Sequence, residues 1–205
     1  MKGLLLSVLC FCVAAYVQAQ IHQEDLEKIY ATAGEYSVPD TIQAKYPKFD
    51  DHLRANLQGY IPVIAAEELK EKIARGDKFY LLDARPKEAY DVSHIRRARR
   101  VGYKDFGPEK VWMLNRDTEI IVYCSMGFRS EQVGRYMLMM GFKNVRNLYG
   151  SIYEWANNDG EVVDNNNEPT NRVFAEDKEK AKFLRKGKAV FPRQEGDDPF
   201  KVAGE

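Results

Sequence analysis

Cysteine is scarce in this chain: there are three among 205 residues. That excludes a disulfide scaffold, which needs a dense set of paired cysteines. Histidine is as rare. His22, His52 and His94 stand far apart with no cysteine neighbours, so no metal site and no cofactor is expected. An excess of charge is missing too, because 31 Lys+Arg balance 31 Asp+Glu. A dedicated nucleic-acid binder carries a basic surplus, so no nucleic-acid partner is expected. Internal repeats and low-complexity tracts are absent. What remains is 44% hydrophobic, too apolar for a disordered chain. It is long enough for one core with extensions, and short for two full domains.

One long apolar run stands at the N-terminus, from Gly3 to Val17 behind Met1-Lys2. Ala19 follows as a small residue at a cleavage position. This is the pattern of a secretory signal peptide over residues 1–19. The run is shorter than the roughly 20 residues a membrane span needs, so no stable span is expected after cleavage. The alternative is an uncleaved N-terminal segment that anchors the chain in a membrane. A lipoprotein fits poorly, because Leu9 and Phe11, not small residues, precede Cys10 and Cys12. The expected location is therefore export, to a bacterial periplasm. Without the signal the chain keeps one cysteine, Cys124, and a formal charge of −1 (30 basic against 31 acidic). A lone thiol in an oxidising compartment is a liability unless it is buried and inert, or kept for its chemistry.

Residues 20–57 are polar with scattered aromatics and read as an extension on the domain surface, with a helix at about 23–32. From 58 to 163 the texture is that of an α/β domain. Ala65 to Ile73 is an amphipathic helix that Gly76 ends. Phe79-Tyr80-Leu81-Leu82-Asp83 and Glu119-Ile120-Ile121-Val122-Tyr123 are apolar runs suited to buried parallel strands. Pro86 can open a short helix through Tyr90, and Arg99–Val101 suits a short strand. A helix is expected over Ser130–Met140 with Val133, Tyr136, Met137 and Met140 on its inner face. Then come a strand at Val145–Leu148 and a short helix at Ile152–Trp155. The fold expected is a mainly parallel sheet with helices on both faces. The C-terminal extension, 164–205, reads as a linker at Asp164–Pro169, a charged helix at Ala175–Lys186 and a fraying polar end.

The segment Tyr123-Cys124-Ser125-Met126-Gly127-Phe128-Arg129-Ser130-Glu131 carries the chemistry. A buried strand delivers a cysteine to its carboxyl end, where open α/β sheets bind ligands. A tight loop leads into a helix whose free N–H groups and dipole favour an anion. Ser130 suits the N-cap. Backbone amides wrapped around the sulfur favour thiolate over thiol. Glu131 would oppose this if it faced the sulfur, and is expected to face solvent.

These residues resemble the active-site loop of the rhodanese-like (sulfurtransferase) superfamily. Leu81-Leu82-Asp83-Ala84-Arg85 resembles that family's strand ending in Asp-x-Arg. Glu88-Ala89-Tyr90, Ser93-His94-Ile95 and Ala98 resemble its next segment. Gly141 to Val145, Leu148 to Ile152 and Trp155 resemble its closing strand and helix. The resemblance covers about residues 60–163. Ser93 and Ser151 stand where Gly is usual, and Arg96-Arg97 where Pro-Gly is common; these departures are expected to touch turns, not the sulfur site. The resemblance implies catalysis by a Cys124 persulfide. A small anionic sulfur donor, such as thiosulfate or polysulfide, would be bound by Ser125, Met126, Gly127, Phe128, Arg129 and Ser130. Asp83 and Arg85 would support the fold. A thiol, cyanide or a protein would accept the sulfur.

Plainer roles stand beside these. Cys124 can be a small buried hydrophobe, and Arg129 a mere brace for its loop. Gly127 relieves a positive φ. Arg96-Arg97-Ala98-Arg99-Arg100 reads as a solvated loop, or as a patch that steers anionic donors. Two other functions compete. One is a non-enzymatic persulfide carrier, redox sensor or partner-binding module. The remoter one is a phosphatase, which needs five residues between Cys and Arg, where this chain has four.

Overall fold

The computed structural model describes residues 34–192. The expected signal segment, its cleavage site and the helix expected at 23–32 lie outside the described residues, as does the polar end from 193. The first element, α1 (Pro47–Asn56), opens with Pro at N1 and carries Asp50 in its first turn and Arg54 in its last. Phe49 and Leu53, spaced i and i+4, are 1% and 0% exposed. This part of the N-terminal extension therefore enters the core instead of lying on its surface.

The chain continues as β1 (Val63–Ile64), α2 (Ala66–Arg75), β2 (Phe79–Asp83), α3 (Lys87–Val92), β3 (His94–Ile95) and β4 (Arg99–Arg100). Next come β5 (Glu119–Tyr123), α4 (Phe128–Met139), β6 (Val145–Leu148) and α5 (Ser151–Asn157). Glu67 and Glu68 sit in the first turn of α2, and Gly76 closes it at φ +72°. Strands β1, β6, β5, β2 and β4 form one sheet in that order, with every pairing parallel. Along β5, Ile121 and Tyr123 face a core that includes Phe49, Leu69 and Ile152. Ile120, Val122 and Cys124 face the other core, with Val133 and Met137. Helices thus cover both faces, which is why β5 is apolar from Ile120 to Tyr123 instead of alternating. Each fully buried Ile or Val there contributes about 1.5–3 kcal/mol.

Two readings of α4 need correction. It starts at Phe128, with Gly127 at the N-cap, so Ser130 is not the cap. Its buried face is also rotated. Val133 and Met137 are buried, but Tyr136 is 40% exposed and Met140 only half-buried. The contact centres on Gly134, where an added Cβ would meet Ile61 Cδ1 at 2.3 Å. With Gly134 facing Ile61, Tyr136, two residues on, falls on the opposite side of the helix.

The C-terminal extension is also more built than its composition indicates. The stretch read as a linker is a hairpin, β7 (Val162–Val163) with β8 (Pro169–Thr170), antiparallel, and β7 also pairs with β3. Asp164 Oδ1 accepts from the amides of Asn166 at 2.8 Å and Glu168 at 3.1 Å, which closes the turn. Then β9 (Arg172–Phe174), α6 (Lys178–Ala181) and β10 (Lys188–Val190) follow, with β9 and β10 parallel. The long helix expected over 175–186 is only this short α6. Ala175 is still engaged with Val190 through an N–H···O bond of 2.8 Å. Beyond α6, Asn157 Oδ1 accepts from the amides of Arg185 (2.8 Å) and Lys186 (3.2 Å), which draws the chain out of helix.

Candidate active site

Cys124 directly follows β5, the middle strand of the five, in the loop that leads into α4. Its backbone is clamped by α5. The Cys124 amide donates to Ser151 Oγ at 3.0 Å, and the Cys124 carbonyl accepts from the Ile152 amide at 3.3 Å. Ser151 holds this position at φ +52°, a left-handed conformation unusual for a residue with a side chain. Contrary to expectation, the Ser at this turn does touch the cysteine.

The loop turns back on the sulfur. Gly127, at φ +123°, donates its amide to Cys124 Sγ at 3.1 Å. The Gly127 carbonyl accepts from Asn147 Nδ2 at 3.0 Å, and the Ser130 hydroxyl donates to Asn147 Oδ1 at 2.7 Å. Asn147 on β6 therefore pins the loop from behind. Cys124 is a free thiol and only 2% exposed. Burial pushes the thiol up. The Arg129 guanidinium, the Ser130 hydroxyl and amide, and the Gly127 amide outweigh burial and hold it below its ordinary value.

Arg129 donates to Ser125 Oγ at 2.9 Å and is ion-paired with Glu176 from the C-terminal extension. Burial lowers the Arg129 guanidinium, but Cys124 and Glu176 raise it above its ordinary value, so it stays charged. Glu131 does not face solvent. It is 3% exposed and turned away from the sulfur, accepting from the amides of Gln58 at 3.0 Å and Tyr60 at 3.1 Å. Burial pushes its carboxyl up.

The other expected site residues divide. Met126 is buried in the core with Tyr149 and Ile152, so the loop offers a donor its backbone there, not its side chain. Phe128 stands edge-on to His52, with centroids 5.7 Å apart. His52 in turn stacks on Phe183 at 4.6 Å, and Phe183 on Phe49 at 5.1 Å. Asp83 and Arg85 are fully buried and pair with each other, Arg85 Nη2 reaching Asp83 Oδ2 at 2.6 Å. Arg85 Nη2 also donates to the Ser93 carbonyl at 2.6 Å. The Ser93 hydroxyl donates to the Arg172 carbonyl, so this second departure from Gly ties down the C-terminal extension. Of the basic run, Arg96 pairs with Glu161 at 2.6 Å and Arg100 with Asp105 at 2.9 Å.

Sequence reasoning missed Asn147, Ser151 as a contact, Glu176, His52 and Phe183. Only Ser151 carried a signal, as a Ser where a turn favours Gly. Asn147, Glu176 and His52 reach the loop or the first turn of α4, and Phe183 reaches His52, through tertiary packing that no local pattern marks.

A family model described as "Rhodanese-like domain" matches residues 65–158. A Bacillus subtilis (strain 168) protein named "Putative sulfurtransferase YtwF" is 36% identical over 95 residues, covering 46% of this chain and 90% of that one. The tRNA uridine(34) hydroxylase of Photorhabdus laumondii is 35% identical over 98 residues. That match covers 45% of this chain but only 28% of the hydroxylase, so it speaks to one segment of a longer protein. The rhodanese-like domain of an Anabaena protein, solved by solution NMR, is 24% identical, with a TM-score of 0.47 over 50% of this chain and 78% of that one. With a family model on the central segment, and a relative matched over nine-tenths of its own length, the chain belongs to the rhodanese-like domain family.

Proposed function

We propose that this protein is a sulfurtransferase that moves sulfane sulfur from an anionic donor, such as thiosulfate or polysulfide, to a thiophilic acceptor. The observation that carries this reading is the Gly127 amide aimed at Cys124 Sγ, with Arg129 charged beside it. The name and coverage of the Bacillus subtilis relative support it. The Cys124 thiolate attacks the outer sulfur of thiosulfate; the S–S bond breaks, and sulfite leaves with the electron pair. The product, Cys124–S–S⁻, sits where the Gly127 amide stabilises the anion. An acceptor thiol or cyanide then attacks the outer sulfur and restores the Cys124 thiolate. The natural acceptor is a small thiol or a protein, and the site of action is outside the cytoplasm, in a bacterial periplasm.

Steady thiocyanate formation from a sulfane donor and cyanide is the expected result. Cys124→Ser abolishes it and leaves the melting temperature nearly unchanged. A large loss of stability without loss of turnover would instead make Cys124 a packing residue. A second reading, a persulfide carrier that turns over only with a partner, draws on the near-complete burial of Cys124. It predicts a stable persulfide and no turnover with small acceptors.

A further inference from the structure

From Cys124 to Ser130 the loop has a single charged side chain, Arg129. That charge is already answered. Arg129 Nη2 meets Glu176 Oε1, while Glu176 Oε2 accepts from Lys180 Nζ at 2.7 Å. The two partners are 25% and 27% exposed, so water and salt screen their attraction less than at an open surface. Glu176 is also held in place by its backbone. On one side Ala175 N–H bonds the Val190 carbonyl at 2.8 Å. On the other, Asp177 caps α6, accepting from the Lys180 amide at 2.8 Å. The carboxylate is thus a fixed feature of the site's wall.

The consequence is electrostatic. A thiosulfate dianion must bring two negative charges up to a thiolate. A free Arg129 would offset one of them, but Arg129 belongs to a cluster with Lys180, Glu176 and Asp177 whose two positive and two negative charges sum to zero. A hydropersulfide, R–S–SH, ionises to no more than a monoanion and transfers sulfur through its protonated form, whose outer sulfur is neutral, so it needs less offset than a dianion. The Cys124 thiolate attacks that outer sulfur, the S–S bond breaks, and R–S⁻ leaves with the electron pair. Charge is conserved, no external oxidant or reductant is consumed, and Cys124–S–SH gives its proton to the more basic R–S⁻, leaving the same Cys124–S–S⁻.

We propose that Glu176 is a specificity-determining residue that, by occupying Arg129, selects low-charge hydropersulfide donors over dianionic thiosulfate. This rests on the sulfurtransferase reading above.

The test loads Cys124 of the full chain with thiosulfate or with the hydropersulfide of 2-mercaptoethanol, and reads second-order loading rates by intact mass. Glu176→Gln is expected to raise the thiosulfate rate about tenfold, the usual weight of one charged contact, and to leave the hydropersulfide rate within about twofold. Lys180→Met, which leaves Glu176 to Arg129 alone, is expected to lower the thiosulfate rate. Parallel changes with both donors, or an unchanged thiosulfate rate in Glu176→Gln, would overturn the proposal while the sulfurtransferase reading stands. If Glu176→Gln does not fold, an unchanged thiosulfate rate in Lys180→Met overturns it, and a selective fall supports it. If wild type takes sulfur from neither donor, the sulfurtransferase reading fails and this proposal falls with it.

Discussion

Burial and reactivity oppose each other at Cys124. Taking a thiol out of water raises it, so a sulfur this hidden would be inert without compensation. The compensation is local: the Gly127 amide bonds the sulfur, and the Arg129 charge with the Ser130 hydroxyl and amide stands close around it. Arg129 acts through its charge, which yields a prediction on pH. The thiolate's ultraviolet absorbance in wild type is expected to appear below the ordinary thiol range. In Arg129→Gln the midpoint moves up, because the largest favourable influence is gone. Activity that depends on the thiolate then begins at higher pH. An unmoved midpoint would reduce Arg129 to a brace for its loop.

At the scale of elements, the site is the junction of β5, its loop and α4. The apolar runs at 79–82 and 120–123 are readable because a strand buried on both faces leaves few polar positions, here only the ion-paired ends Asp83 and Glu119. The start of α4 is not. Gly127 at φ +123° opens the helix with no capping side chain, so the Ser that looks like a cap sits a turn too late. Glu131 departs from its expected exposure for a related reason. An acid in a first helical turn normally complements the helix dipole from solvent. Here the chain entering β1 brings the Gln58 and Tyr60 amides within reach, and the carboxylate satisfies both. Glu131→Ala is therefore expected to cost about 1–3 kcal/mol in urea unfolding, since it strands the buried Tyr60 amide. A cost under about 0.5 kcal/mol would show that water replaces the carboxylate.

At the scale of the molecule, the segments outside the family match form part of the site's wall. Phe49 and His52 come from α1, while Phe183 and Glu176 come from the C-terminal extension. Composition marked 164–192 as loose and charged. Yet Val173, Phe174 and Ala175 are buried, and Asn157 on α5 binds this segment at three backbone groups. Such contacts join residues far apart in sequence, whereas periodicity and capping signals reach only a few residues. The family's motifs therefore located the cysteine but not what surrounds it. Ending the chain at Val163 is expected to lower the melting temperature by roughly 10 °C or more. Each large apolar side chain lost from the core is worth about 1.5–3 kcal/mol, and each kcal/mol about 2–4 °C. A truncated chain that melts with wild type would make the extension a passive appendage.

The central claim is that Cys124 carries sulfur. The direct measurement is intact and peptide mass spectrometry of the full chain after exposure to a sulfane donor. The account predicts a gain of about 32 Da, one sulfur atom, on the Cys124 peptide, removed by cyanide or a thiol and absent in Cys124→Ser. No adduct on Cys124 from thiosulfate, polysulfide or hydropersulfide would contradict it.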